Sequence, residues 1–114
     1  MNDPEVFNIE RTDTIDSLAF DDKDKVLILL LTDGMDWTDP ARHMNLLKEK
    51  LNNYIFFIDT EQYSEKYPDT KMIEWRIQFY YKEPEVCQRL LDYVIRLMND
   101  KFDNVEVIIE HGTE

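Results

Sequence analysis

The alternation in residues 72 to 83 constrains this chain more than any other feature. Ile73, Trp75, Ile77, Phe79 and Tyr81 fall on one side of an extended backbone, and Glu74, Arg76, Gln78, Tyr80 and Lys82 on the other. Successive side chains of a strand point to opposite faces, so this pattern predicts a sheet whose one face is covered and whose other face meets water. A second run, Lys25 to Thr32, is apolar on both alternating faces, as in a central strand. It is too short for a buried helix and is bounded by turn residues. The shorter run Thr14 to Phe20 precedes it across Asp21-Asp22-Lys23-Asp24, a turn signal because Asp side chains bond to nearby backbone. Residues 14 to 33 are therefore expected to form a hairpin.

Two helices fit between the remaining strands. Asp39 is placed to cap free amides and Pro40 suits a first helical position, since no donor is needed there. Met44, Leu47, Leu51, Tyr54, Ile55 and Ile58 then recur at helical spacing to about Gln62, with Lys48, Glu49, Lys50, Asn52 and Asn53 opposite. Tyr63 to Tyr67 adds a turn before Pro68-Asp69. Pro84 opens a second helix striped by Val86, Leu90, Val94, Leu97 and Met98, and Val105 to Ile109 reads as a last strand. The four prolines and two glycines mark the ends of these elements.

The order ββαβαβ predicts an α+β two-layer sandwich: a four-stranded mixed sheet with two helices on one face, in the strand order 1-2-3-4. Residues 1–114 read as a single domain, because 114 residues leave no room for a second core. The doubly apolar second strand puts an apolar row on the face without helices, which Tyr80 and Ile108 are expected to join. Such a row needs a cover: a partner, a second copy of the chain, or the amino-terminal residues 1–12 with Val6, Phe7 and Ile9.

Charge narrows the partners. Thirteen basic residues against 25 acidic ones give a net charge of −12, which argues against nucleic acid and against an anionic membrane surface. The longest apolar run, Val26 to Leu31, is far short of the roughly 20 residues of a spanning helix. The acidic amino terminus does not resemble a signal peptide, and one cysteine, Cys87, makes no internal disulfide. The expected location is the cytoplasm. Eight acidic residues stand against Arg11 and Lys23 within residues 1–24. An acidic surface of that kind speeds association with a basic protein.

Chemistry-bearing motifs are few. Asp33, Asp36 and Asp39 surround Trp37 where a strand gives way to a helix, the stretch most like a ligand or divalent-cation site. The glycine stands second rather than sixth and no bidentate Glu follows, so this is not an EF-hand loop. The competing reading makes Asp39 a helix cap, Asp36 a dipole partner and Trp37 a lid. His43 and His111 lack the spacing of metal ligands and are expected at the surface, and Cys87 is expected to be buried and inert. Gly-rich phosphate loops, GxSxG and HExxH are absent from the sequence. The expected protein is thus not an enzyme and needs no cofactor. It binds a protein partner or itself through Asp21, Asp22, Asp24, Tyr80 and Ile108, in the manner of an inhibitor or immunity-type protein for a basic partner. The alternative is a small-molecule or cation-binding module centred on Asp33, Asp36, Trp37 and Asp39.

Three stretches carry a resemblance to a family. They are Ile15 to Phe20 through Asp24-Lys25-Val26 to Trp37, then His43 to Tyr54 continuing to Tyr67-Pro68, then the Arg76-Ile77 strand with its proline-led helix. Over roughly residues 13–100 the chain resembles a bacterial family of small domains of unknown function. Gly34-Met35-Asp36 departs from the basic residue that the family pattern carries before the tryptophan. The resemblance implies a small cytoplasmic bacterial protein with no assigned activity.

Overall fold

A computed structural model describes residues 9–114. The elements follow the order β1 (Ser17–Asp21), β2 (Val26–Asp33), α1 (Pro40–Asp59), a 3-10 turn (Gln62–Glu65), β3 (Met72–Phe79), α2 (Glu85–Lys101) and β4 (Val105–Glu110). The strands lie in the order β1-β2-β3-β4, β1 antiparallel to β2 and the other pairs parallel. This is the expected α+β sandwich, with each parallel connection made through a helix.

Register explains the core. Leu18 and Phe20 pair with Leu29 and Leu27, which pair in turn with Trp75 and Ile73. With Leu31, Ile77 and Val105 these residues form the covered face, against Leu47, Leu51 and Ile58 of α1 and Cys87, Leu91, Val94 and Met98 of α2. Tyr54 of α1 stacks on Trp75 of β3 with ring centroids 5.5 Å apart. The opposite face carries Val26, Ile28 and Leu30 of β2 and Ile108 of β4, all half-buried.

Several positions differ from the sequence pattern. Lys50, expected on the solvent side of α1, is fully buried with Nζ 2.5 Å from Asp16 Oδ1. Val86, expected on the apolar stripe of α2, is 50% exposed, because Cys87 rather than Val86 shares the stripe with Leu91, Val94 and Met98. Helix α1 stops at Asp59 instead of Gln62. Thr60 caps it by donating its hydroxyl to the Phe56 carbonyl, and Glu61 enters the left-handed region at φ 53°. β3 ends at Phe79 rather than continuing to residue 83, since β2, its neighbour, ends at Asp33 in the same register. Tyr81, expected in the core, is half-buried beyond that strand end.

The described part of the amino-terminal segment lies on the helix side. Ile9 enters the core, Glu10 pairs with Arg42, and the Thr12 hydroxyl donates to Glu49, both partners being on α1. The idea that residues 1–12 cover the open sheet face otherwise falls on residues 1–8, outside the described ones. Among the described residues no helix is long and apolar enough to cross a membrane.

Candidate functional site

The loop after β2 is built by its own carboxylates. Asp33 Oδ1 accepts from the Met35 amide at 3.0 Å and Asp36 Oδ1 from the Thr38 amide at 3.1 Å. Asp39 caps α1 by accepting from the Arg42 amide at 3.2 Å, with Pro40 in the first turn. The bond with the Thr38 side chain, then that with its amide, holds the Asp36 carboxyl below the usual carboxylate range. The three carboxylates thus serve three different local partners. Among the described residues no three His, Cys, Asp or Glu side chains are grouped to hold a metal ion.

His43 is not at the surface as expected but wholly buried in the first turn of α1. Its Nδ1 faces the Asp36 carbonyl oxygen at 2.9 Å, and its Nε2 lies 2.5 Å from Asp33 Oδ2. A carbonyl can only accept, so Nδ1 carries a proton and donates it there. Trp37 lies flat on the imidazole, centroids 3.5 Å apart and planes 11° from parallel. The burial has a physical cause: the polar edges of the ring are satisfied by the loop that precedes the helix, so the ring can face the core. Cys87 is buried beneath the same end of the sheet. Desolvation, reinforced by the Glu83 and Asp33 carboxylates, pushes its thiol up to about 12.

The carboxyl ends of β2, β3 and β4 frame an open groove of about 700 Å³. Its floor is the row Thr32, Gln78 and Glu110, consecutive in register across the three strands. Gln78 Nε2 donates to Glu110 Oε2 at 2.7 Å. Tyr80 and Tyr81 form one wall, ring centroids 4.9 Å apart and nearly perpendicular, with Tyr80 58% exposed. His111 forms the other wall and is exposed, as expected. It is held by Glu83, whose buried carboxylate meets His111 Nδ1 and accepts from the Gly112 amide at 3.1 Å. A second groove of about 610 Å³ lies on the other side of His111, between β4 and Leu91 and Ile95 of α2.

Of the residues singled out in the sequence, Tyr80 and Gly34 line the main groove, whereas Asp33, Asp36, Trp37 and Asp39 are not part of its lining. Ile108 lies on the open face, in one row with Leu30 and Arg76. Asp21, Asp22 and Asp24 are at the opposite end of the sheet, about 23 Å away along β2. Asp21 Oδ1 accepts from the Lys23 and Asp24 amides and Asp22 pairs with Lys25, so part of that acidic turn shapes the turn itself. Gln78, Glu110, Glu83 and His111 were missed as a group. They come from different strands and loops, and the one local signal is Gly112, the second of only two glycines.

These features define a small two-layer α+β fold with one sheet face that no described helix covers and a groove at the carboxyl ends of its strands. The chain belongs to the family of unknown function DUF6572, which matches residues 7–111. No curated protein and no solved structure matches it.

Proposed function

We propose that this domain binds a basic protein through the sheet face opposite its two helices, in the manner of an inhibitor or immunity-type protein. The observation that carries the reading is the composition of that face. Val26, Ile28 and Leu30 give it an apolar row along β2, Ile108 lies on β4 across Glu74 and Arg76 of β3, and Asp21, Glu106 and Glu110 add acidic groups at the strand ends and edge. Among the strand residues of that face Arg76 is the one base, and it pairs with Glu74. An apolar row flanked by charged side chains suits a protein interface, and the net charge of −12 favours a basic partner and hastens encounter with it. The loop at residues 33–39 supports a ligand module less well, since its carboxylates already serve Met35, His43, Thr38 and Arg42.

Selection from a displayed peptide library, followed by mapping of amide shifts, tests the reading. Selected sequences should be basic and partly apolar, should shift Ile28, Leu30 and Ile108, and should lose binding to Ile28→Glu. Charge reversal of Asp22 and Asp24 should slow their association at low salt. Neutral or acidic ligands, or shifts confined to the helices, would overturn it, and light scattering would reveal a dimer occupying the face instead.

A further inference from the structure

We infer that the groove at the carboxyl ends of β2, β3 and β4 is a subsite for a guanidinium group, the arginine side chain of the basic partner. The inference rests on the reading above and gives it a specific anchor. The lining has the chemistry for a planar organic cation. Tyr80 and Tyr81 present two rings at right angles, so a group entering the corner meets the face of one ring and the edge of the other. A cation over a tyrosine face is attracted by the ring quadrupole, and guanidinium also stacks on it. On the floor, the Glu110 carboxylate accepts only one bond among the described residues, from Gln78. Its Oε1 is left for a ligand N–H.

Among the described residues no lysine or arginine lines the groove, which disfavours an anionic ligand. The histidine there, His111, is held at Nδ1 by the buried Glu83, so the wall is fixed by a carboxylate rather than by a second base. The volume of about 700 Å³ is ample for one arginine side chain. The groove also continues the floor row Thr32, Gln78 and Glu110 from the open sheet face. A partner seated on Ile28 and Leu30 would therefore reach it with one long side chain. Guanidinium suits the site better than ammonium, because its flat fork can stack on tyrosine while bonding to a carboxylate.

The test is an NMR titration of the intact protein with N-acetyl-arginine amide, N-acetyl-norleucine amide and spermidine. The arginine probe should give saturable shifts at Tyr80, Tyr81, Glu110 and His111, at millimolar strength, and the norleucine probe should not. Tyr80→Leu and Glu110→Gln should each weaken it about threefold to tenfold, in keeping with an exposed cation–π contact and an exposed ion pair. Both side chains are exposed, and an unchanged melting temperature would show that each variant folds. Equal binding of norleucine would make the groove merely apolar and overturn the inference. Tighter binding of spermidine would assign it to a free polyamine and overturn the arginine assignment. If library-selected basic ligands bind these two variants as they bind the parent, the subsite falls while the open-face reading stands. If the arginine probe fills the groove but selected ligands map to the helices, the open-face reading falls alone.

Discussion

Asp33 and His43, ten positions apart in the chain, meet at 2.5 Å with both side chains wholly buried under Trp37. Nε2 meets Oδ2, while the Nδ1 proton is bonded to the Asp36 carbonyl. The couple ties the end of β2 to the start of α1. Removing one partner leaves the other buried without it, which typically costs about 3–5 kcal/mol. Asp33→Ala and His43→Ala should each lose stability on that scale in urea unfolding. The double variant should lose less than the sum by about 1–3 kcal/mol, as contacting groups do. Strict additivity would mean that the two do not depend on each other.

A second buried polar cluster fixes the entrance of β1. The Tyr54 hydroxyl donates to the Leu30 carbonyl at 2.5 Å and accepts from the Asp16 amide at 2.8 Å, while Asp16 Oδ2 accepts from the Thr32 amide. Tyr54→Phe keeps the stacking on Trp75 but leaves backbone groups unpaired, so a loss of about 1–3 kcal/mol is expected. Lys50→Met should cost less than Lys50→Ala, because the methionine keeps the packing of the aliphatic stem. Equal losses for the two Lys50 variants in thermal melts would show that the charge alone matters there.

These two clusters mark the limit of what the sequence discloses. The alternation from Ile73 to Phe79, the run from Val26 to Leu31 and the cap at Asp39 are local, so strand, sheet face and helix start were all legible. Lys50 and His43 share the inward stripe of α1 with Leu47 and Tyr54, yet a hydropathy pattern assigns polar residues outward. What places them inside is a partner elsewhere: Asp16, 34 positions before Lys50, and Asp33 at the end of β2. The groove was illegible for the same reason. Its floor exists only once register sets Thr32, Gln78 and Glu110 side by side.

Alkaline stability should report on Cys87 and Tyr54. Burial raises both groups above their ordinary values, Cys87 to about 12. The unfolded chain then releases these protons at lower pH than the folded one. Their contribution is complete below the unfolded thiol value near 9 and is lost as pH rises toward 12. Stability measured by urea unfolding from pH 8 to pH 11 should therefore fall, and Cys87→Ala should flatten the fall. An unchanged slope in that variant would remove the thiol from the account. The same burial predicts that the native thiol is unmodified by iodoacetamide at pH 8 and reacts once urea unfolds the chain.

Gly112 tests how the groove wall is closed. A Cβ built on it would lie 2.1 Å from the Tyr81 carbonyl oxygen, which belongs to backbone and cannot swing aside. The glycine is needed for this close approach, which lets its amide donate to Glu83 while that carboxylate holds His111. Gly112→Ala must push the strand end away from Tyr81, a misfit that typically costs about 1–3 kcal/mol. Its melting temperature should drop, with amide shifts concentrated at Tyr81, Glu83 and His111 and little change at Asp33 or His43. Glu83→Gln keeps the shape while weakening the hold on His111, so it should disturb the His111 ring signals without moving Tyr81. A Gly112→Ala variant as stable as the parent, with Tyr81 unshifted, would mean that the chain end does not rest on the Tyr81 backbone and that the wall is formed in another way.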